Sequence, residues 1–277
     1  MWLFEPGTVM APESLCGVEI MFMKMILMKT SRACKPGRRQ SAKRGRKASC
    51  LADNSFCHYT VPMIRLAAFL GNIGSQYERN RHNTAWQFAS ALPFYGELNW
   101  QQKFKGEWAA LSFDDFTQKA ALHFPQLLNK EGTLVTPKNP PDKIYFLKPG
   151  TFMNLSGESI LALASFFKID PSEILVCHDE LELPIGTFSL KWSGGLAGHN
   201  GLRSAKENLG TADFWRLRFG ISKPAGVNIA DYVLSDFKGD EAITMSLVFA
   251  LAGELFCRAL LASDPQRLLP QWAKVKV

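Results

Sequence analysis

From residue 63 onward, apolar and polar positions fall into blocks that alternate between short apolar runs and helical periodicity. "MIRLAAFLG" (63–71) predicts a buried strand, and "NTAWQFASAL" (83–92) a short helix with Trp86 and Phe88 among its apolar positions. "FKGEWAALSF" predicts a strand, and "DDFTQKAALHFPQLL" a helix that "KNPPDK" ends. "KIYFLKPG" is a strand closed by Pro and Gly, and "NLSGESILALASFF" an amphipathic helix with polar residues at its start. "SEILVCHDELELP" predicts a strand running into a polar mouth, with Cys177 and Asp179 on one face and His178 on the other. "GTFSLKW" and "FWRLRFGIS" are further strands, separated by the glycine loop and helix of "GGLAGHNGLRSAKENLG". A long, mostly apolar helix over 239–262 closes the pattern. Alternation of this kind predicts an α/β fold: a single-domain three-layer sandwich whose mixed, mostly parallel twisted sheet is flanked by helices.

The first 62 residues break the pattern. They hold an apolar run, "MFMKMILM", and a basic run over 35–47, "KPGRRQSAKRGRK", with no apolar periodicity. Three readings fit: a targeting peptide, a nucleic-acid-binding arm, or an upstream extension with Met63 as the functional start. Lys24 interrupts the apolar run and no clear cleavage site follows, which weakens a secretory signal. The expectation is therefore a basic N-terminal extension at 1–62, disordered, followed by one domain at 63–277. A cytoplasmic location goes with it, organellar if 1–62 is a genuine transit peptide.

Composition narrows the class. Apolar content of 47% and charged content of 21% over 277 residues are those of a globular protein with room for a full core. No stretch reaches eighteen uninterrupted apolar residues, so no membrane partner is expected. The formal charge of +7 is concentrated in the extension, which carries ten Lys/Arg against four Asp/Glu. Any polyanion binding by the body must come from local clustering. Six scattered cysteines without a C-x-x-C pair point to free thiols and a reducing compartment.

Four polar clusters follow predicted strands: "GNIGSQYERNRHN" (71–83), "KPGTFMNLSG" (148–157), "HDELELP" (178–184) and "GGLAGHNG" (194–201). Open α/β sheets bind ligands at the carboxyl ends of their strands, so four such clusters are expected to meet in one pocket. Each has a plain alternative. Gly71 and Gly74 suit a tight turn, Asn154 an N-cap, and Asp179 a solvated loop acid. The glycine loop before His199 and Asn200 suits a flexible loop and a helix start, an arrangement that also presents backbone N–H groups to an anion. Four decorative loops at once is the weaker account. No G-x-S-x-G elbow, activated Cys, H-E-x-x-H, P-loop or G-x-G-x-x-G is present. That argues against an acyl enzyme and against a metal site, and no cofactor is expected. What remains, imidazoles, one Asp and several amides, suits water activation and oxyanion stabilisation.

Taken as a set, "GN-x-G-x-x-Y-x-x-x-RHN", "KP-x-T-F-MN-x-SG", "HDEL-x-LP-x-G" and "GG-x-x-GHNGL-x-S" make residues 63–277 resemble the bacterial-type peptidyl-tRNA hydrolases. The resemblance implies hydrolysis of the ester between peptide and tRNA, by a monomer acting on peptidyl-tRNA. It implies His82 as the base that activates water and Asp179 as the acid that orients it. Asn72 would contact the peptide near the scissile ester, donating through its NH₂ and accepting through its oxygen. Tyr77, Phe152, Asn154 and Asn200 would bind the 3′ end or the adjoining peptide, and Met153 and His199 would line the same groove. Ile73, Asn80 and Ala85 depart from the family's usual Pro, Thr and Gly, and the segment 113–140 is longer than usual. A second reading is an RNA-binding relative recruited to splicing, without essential hydrolysis.

Overall fold

The computed structural model describes residues 62–277, so all but Pro62 of the expected extension lies outside the described residues. The strands are β1 (Leu66–Phe69), β2 (Gln101–Lys103), β3 (Gly106–Ser112), β4 (Lys143–Pro149), β5 (Ile174–Glu180), β6 (Thr187–Trp192), β7 (Trp215–Gly220) and β8 (Val275–Lys276). They form one sheet in the order β2-β3-β4-β1-β5-β7-β6-β8. The four central strands β4, β1, β5 and β7 run parallel, and both edges are antiparallel. The helices are α1 (Thr84–Ala91), α2 (Phe113–His123), α3 (Ser156–Phe167), α4 (Asn200–Leu209), α5 (Ile229–Val233), α6 (Asp240–Leu261) and α7 (Leu269–Trp272).

Strand alternation sends side chains to two cores. Ala67, Phe69, Leu175 and Cys177 pack with Phe88, Phe116 and Phe256 from α1, α2 and α6. Leu66, Ala68, Ile174 and Val176 pack with Ile160, Leu163, Leu202 and Ala205 from α3 and α4. The result is helix, sheet, helix. By length and composition α6 could cross a bilayer. Here its inner face (Met245, Val248, Phe249, Ala252, Leu255, Phe256) is buried in the first of these cores. The carboxyl ends of β1, β4 and β5 open on one edge of the sheet, and the functional loops leave from there.

Local chemistry moves some boundaries. The helix predicted to run to the "KNPPDK" break ends at His123, because Pro125 excludes the helical region for Phe124, which sits at φ −130°, ψ 71°. The longer segment 113–140 supplies α2, whose Phe113, Phe116 and Ala120 enter the core. The strand expected from Phe104 begins at Gly106, since Phe104 and Lys105 (both φ 56°) form the two-residue turn of a β2–β3 hairpin.

Candidate active site

The first loop is fixed by a backbone clamp. Gly71 lies against the Trp86 ring so closely that an added Cβ would fall 2.6 Å from it. Next to it, the Asn83 amide engages the main chain of Asn72 from both sides. Asn83 Oδ1 accepts from Asn72 N at 2.8 Å, and Asn83 Nδ2 donates to Asn72 O at 3.0 Å. The Asn72 side chain is then set from across the sheet edge, where its Oδ1 accepts from Met153 N at 2.8 Å. Because Met153 N can only donate, the atom facing it is the amide oxygen. One of the two acceptor positions of that oxygen is thus engaged by Met153 N. Nδ2 is left to donate.

His82 follows Arg81 in a tight 3-10 turn that runs into α1, and it is 9% exposed. Its Nδ1 stands 2.8 Å from Asp179 Oδ1 at the end of β5. The same carboxylate oxygen lies 3.0 Å from His199 Nε2. His199 caps α4: its Nδ1 accepts from Gly201 N at 3.1 Å and Leu202 N at 3.3 Å. An Nδ1 that accepts carries no proton, so this geometry places the His199 ring proton on Nε2, donating to Asp179. Those two N–H groups are engaged by His199 itself and are not offered to an anion.

Electrostatics follow the geometry. Burial would raise the Asp179 pKa, but the His82 and His199 rings hold it well below the usual carboxylate range. An ionised Asp179 requires the proton of His82 on Nδ1, which leaves Nε2 as the basic lone pair. Burial depresses the His82 pKa, yet the charge and hydrogen bond of Asp179 outweigh it and raise the value overall. His178, on the opposite strand face, donates through Nδ1 to the Asp179 main-chain carbonyl at 2.6 Å. Its pKa lies well below normal, through burial first and the neighbouring His199 second, so it stays neutral.

These groups open on a cavity of about 680 Å³. Asn72, Tyr77, His82, Phe152, Met153, Asn154, Asp179, His199 and Asn200 all line it, so the four loops meet at one place. Phe152 is 54% exposed there, a large apolar ring left open to a ligand. Asn154 does not cap α3, whose N-terminus carries no side-chain cap, and its amide stands exposed at the rim. None of residues 113–140 reaches this cavity.

The structure also adds lining residues that sequence reasoning missed: Glu180, Leu181, Arg203, and a wall made by Ile229, Ala230 and Val233 of α5 with Leu234 just after it. The stretch "DYVLSDF" (231–237) resembles a closing segment of the same family as the four clusters, but the sequence does not place it at the cavity. His82, Asp179 and His199 place possible ligand atoms within 4.8 Å of one another. Hydrogen bonding accounts for that spacing. Both imidazoles address one oxygen, and a metal at His82 Nδ1 would displace the proton that Asp179 holds there. The set fits a proton-transfer site better than an ion site.

A mixed sheet with a His–Asp pair at the carboxyl ends of its central strands, beside a donor amide, defines an α/β enzyme site suited to hydrolysis. Residues 66–276 match the family model described as peptidyl-tRNA hydrolase, and the chain belongs to that family. It is 40% identical over 218 residues to the peptidyl-tRNA hydrolase of Treponema pallidum (strain Nichols), covering 77% of this chain and 96% of that one. Among solved structures it is similar to peptidyl-tRNA hydrolase from Acinetobacter baumannii, with a TM-score of 0.57, 29% identity, and coverage of 75% and 91%. A peptidyl-tRNA hydrolase complex with N-propanol gives a TM-score of 0.60 at 28% identity, covering 76% and 96%.

Proposed function

We propose that this chain hydrolyses the ester between a peptide and the terminal ribose of tRNA, by water activated at His82. The observation that carries the reading is the Asp179–His82 pair at 2.8 Å in a ring that lines the cavity beside Asn72. With Nδ1 committed to Asp179, Nε2 takes a proton from water as the water oxygen attacks the ester carbonyl. The oxyanion that forms accepts from Asn72 Nδ2. As the tetrahedral species collapses, the C–O bond to the ribose breaks and the proton on Nε2 passes to the leaving oxygen. The products are tRNA and an N-blocked peptide carrying a new carboxylate. No redox change occurs and no cofactor is needed.

Tyr77, Phe152, Asn154 and Asn200 then serve the 3′ end of the tRNA or the adjoining peptide, Phe152 through stacking and the amides through hydrogen bonds. Met153 holds Asn72, and His199 shares the Asp179 charge. We read the protein as a cytoplasmic monomer. Among the described residues, Cys177 and Cys257 are unpaired and buried, which suits a reducing compartment. Turnover of N-acetyl-aminoacyl-tRNA by the purified protein tests the proposal. Release of N-acetyl-amino acid is expected, with His82→Ala slowing it by on the order of 10²–10⁴ while tRNA binding is retained. Binding without any turnover by the wild type would favour the RNA-binding reading instead.

A further inference from the structure

The outer wall of the catalytic cavity is α5, yet none of its five residues is buried. So short a helix has no stability of its own. Its placement depends on what ties it down, and the ties converge on Arg81, the residue before His82. Arg81 is 4% exposed. Its guanidinium lies between the rings of Tyr232 and Phe237, 4.5 and 4.8 Å from their centroids. Nη2 pairs with Glu241 at 2.6 Å, and Nε donates to Ser235 Oγ at 3.3 Å. The main chain adds Arg81 N to Ser235 O at 2.9 Å and a bridge from Asn80 to Asp236. Besides these, Tyr232 Oη donates to Ile221 O at the end of β7.

Tyr232 lies within α5, and Ser235 and Phe237 follow it directly, while Glu241 starts α6. One planar cation therefore gathers the wall, the turn after it and the next helix onto the turn that carries His82. A guanidinium stacks between two rings while its edge donates in the plane, which an ammonium cannot reproduce. We propose that Arg81 is a positioning residue that latches the α5 wall onto the catalytic turn, so that one side chain sets cavity wall and base together. The proposal rests on the hydrolytic reading for its kinetic consequence alone.

Hydrogen–deuterium exchange and steady-state kinetics on full-length Arg81→Met and Arg81→Lys test it. Tyr232, Leu234 and Ser235 donate their amides within the wall segment, so their exchange reports its opening. In Arg81→Met we expect these amides to exchange on the order of tenfold faster, with β1 and β5 unchanged. KM for N-acetyl-aminoacyl-tRNA should rise by a similar factor, on the order of tenfold, because the wall is part of the binding cavity. Lys keeps the charge and one contact, so Arg81→Lys should recover part of both effects. Exchange that rises evenly across the domain, or a local rise with KM unmoved, overturns the proposal. If neither Arg81 variant folds, Tyr232→Leu and Glu241→Gln remove the partners instead, outside the cavity lining, and the same criteria decide. Should wild type fail to hydrolyse the ester, the functional reading falls and the exchange result alone judges the latch.

Discussion

Asp179 Oδ1 receives two imidazole nitrogens, at 2.8 and 3.0 Å, and only one of those rings can act as a base. His199 is tied at both nitrogens, to the α4 amides and to Asp179, whereas His82 keeps Nε2 free. Since Asp179 raises the His82 pKa, the neutral, active ring predominates only above a midpoint higher than the ordinary 6.5. The kcat/KM of ester hydrolysis should therefore climb with pH through a midpoint above 6.5. Asp179→Asn removes the charge, leaves burial to dominate, and should lower both that midpoint and, by on the order of 10²–10⁴, the rate. A pH–rate profile of each protein checks this, and an unmoved midpoint would count against the pairing. Asn72 yields a prediction about selectivity. Its oxygen accepts from Met153 N, which orients Nδ2 to donate to the carbonyl of an N-blocking group, a partner that a free aminoacyl end lacks. N-blocked aminoacyl-tRNA should be cleaved at least about a hundredfold faster in kcat/KM than the unblocked form, equivalent to ~2.7 kcal/mol. Asn72→Ala should narrow that ratio more than Asn200→Ala, and rates for both substrates with the three proteins decide it.

At the scale of elements, the site depends on α3 and α4 packing closely behind it. A Cβ on Gly157 would lie 2.1 Å from the main-chain oxygen of Ser204, and the Gly157 amide donates to Ser204 Oγ at 2.9 Å. No rotamer change relieves a clash with backbone. Gly157→Ala should therefore cost about 1–3 kcal/mol or more despite alanine's better helix propensity. A lower urea midpoint at unchanged slope would show it. Much of this arrangement was legible beforehand, because "SILALASFF" and the short apolar runs of the strands carry their own periods. The four clusters could be placed at strand ends on the same grounds. Less legible were elements defined by tertiary partners: the β2–β3 hairpin, whose turn has no glycine at Phe104 or Lys105, and α5, held by Arg81 rather than by an apolar face. The clamp of Asn83 on Asn72 was hidden for a similar reason. It joins residues eleven apart through side chain and backbone, and local propensity carries no trace of it.

For the molecule as a whole, charge is unequally distributed along the chain. The described residues, 62–277, contain two hydrophobic cores and the side chains named above as lining the catalytic cavity. Residues 1–62 carry ten of the 32 Lys/Arg but only four of the 25 Asp/Glu, so the remaining domain is close to neutral overall. Neutralising tRNA phosphates releases counterions, and the salt dependence of binding counts the cations that take part. A protein beginning at Met63 is therefore expected to fold alone and to turn over N-acetyl-aminoacyl-tRNA within roughly threefold of the full chain at moderate salt, where distant exposed charges are screened. Its affinity for tRNA should fall less steeply with added salt if the basic run at 35–47 contacts phosphate in the full chain. Parallel thermal melts, turnover and binding across about 50–200 mM salt measure all three. A truncated protein that is insoluble, or that loses more than about tenfold in turnover at every salt concentration, would show that the first 62 residues belong to the working domain, since screening removes long-range charge effects but not a missing structural contact.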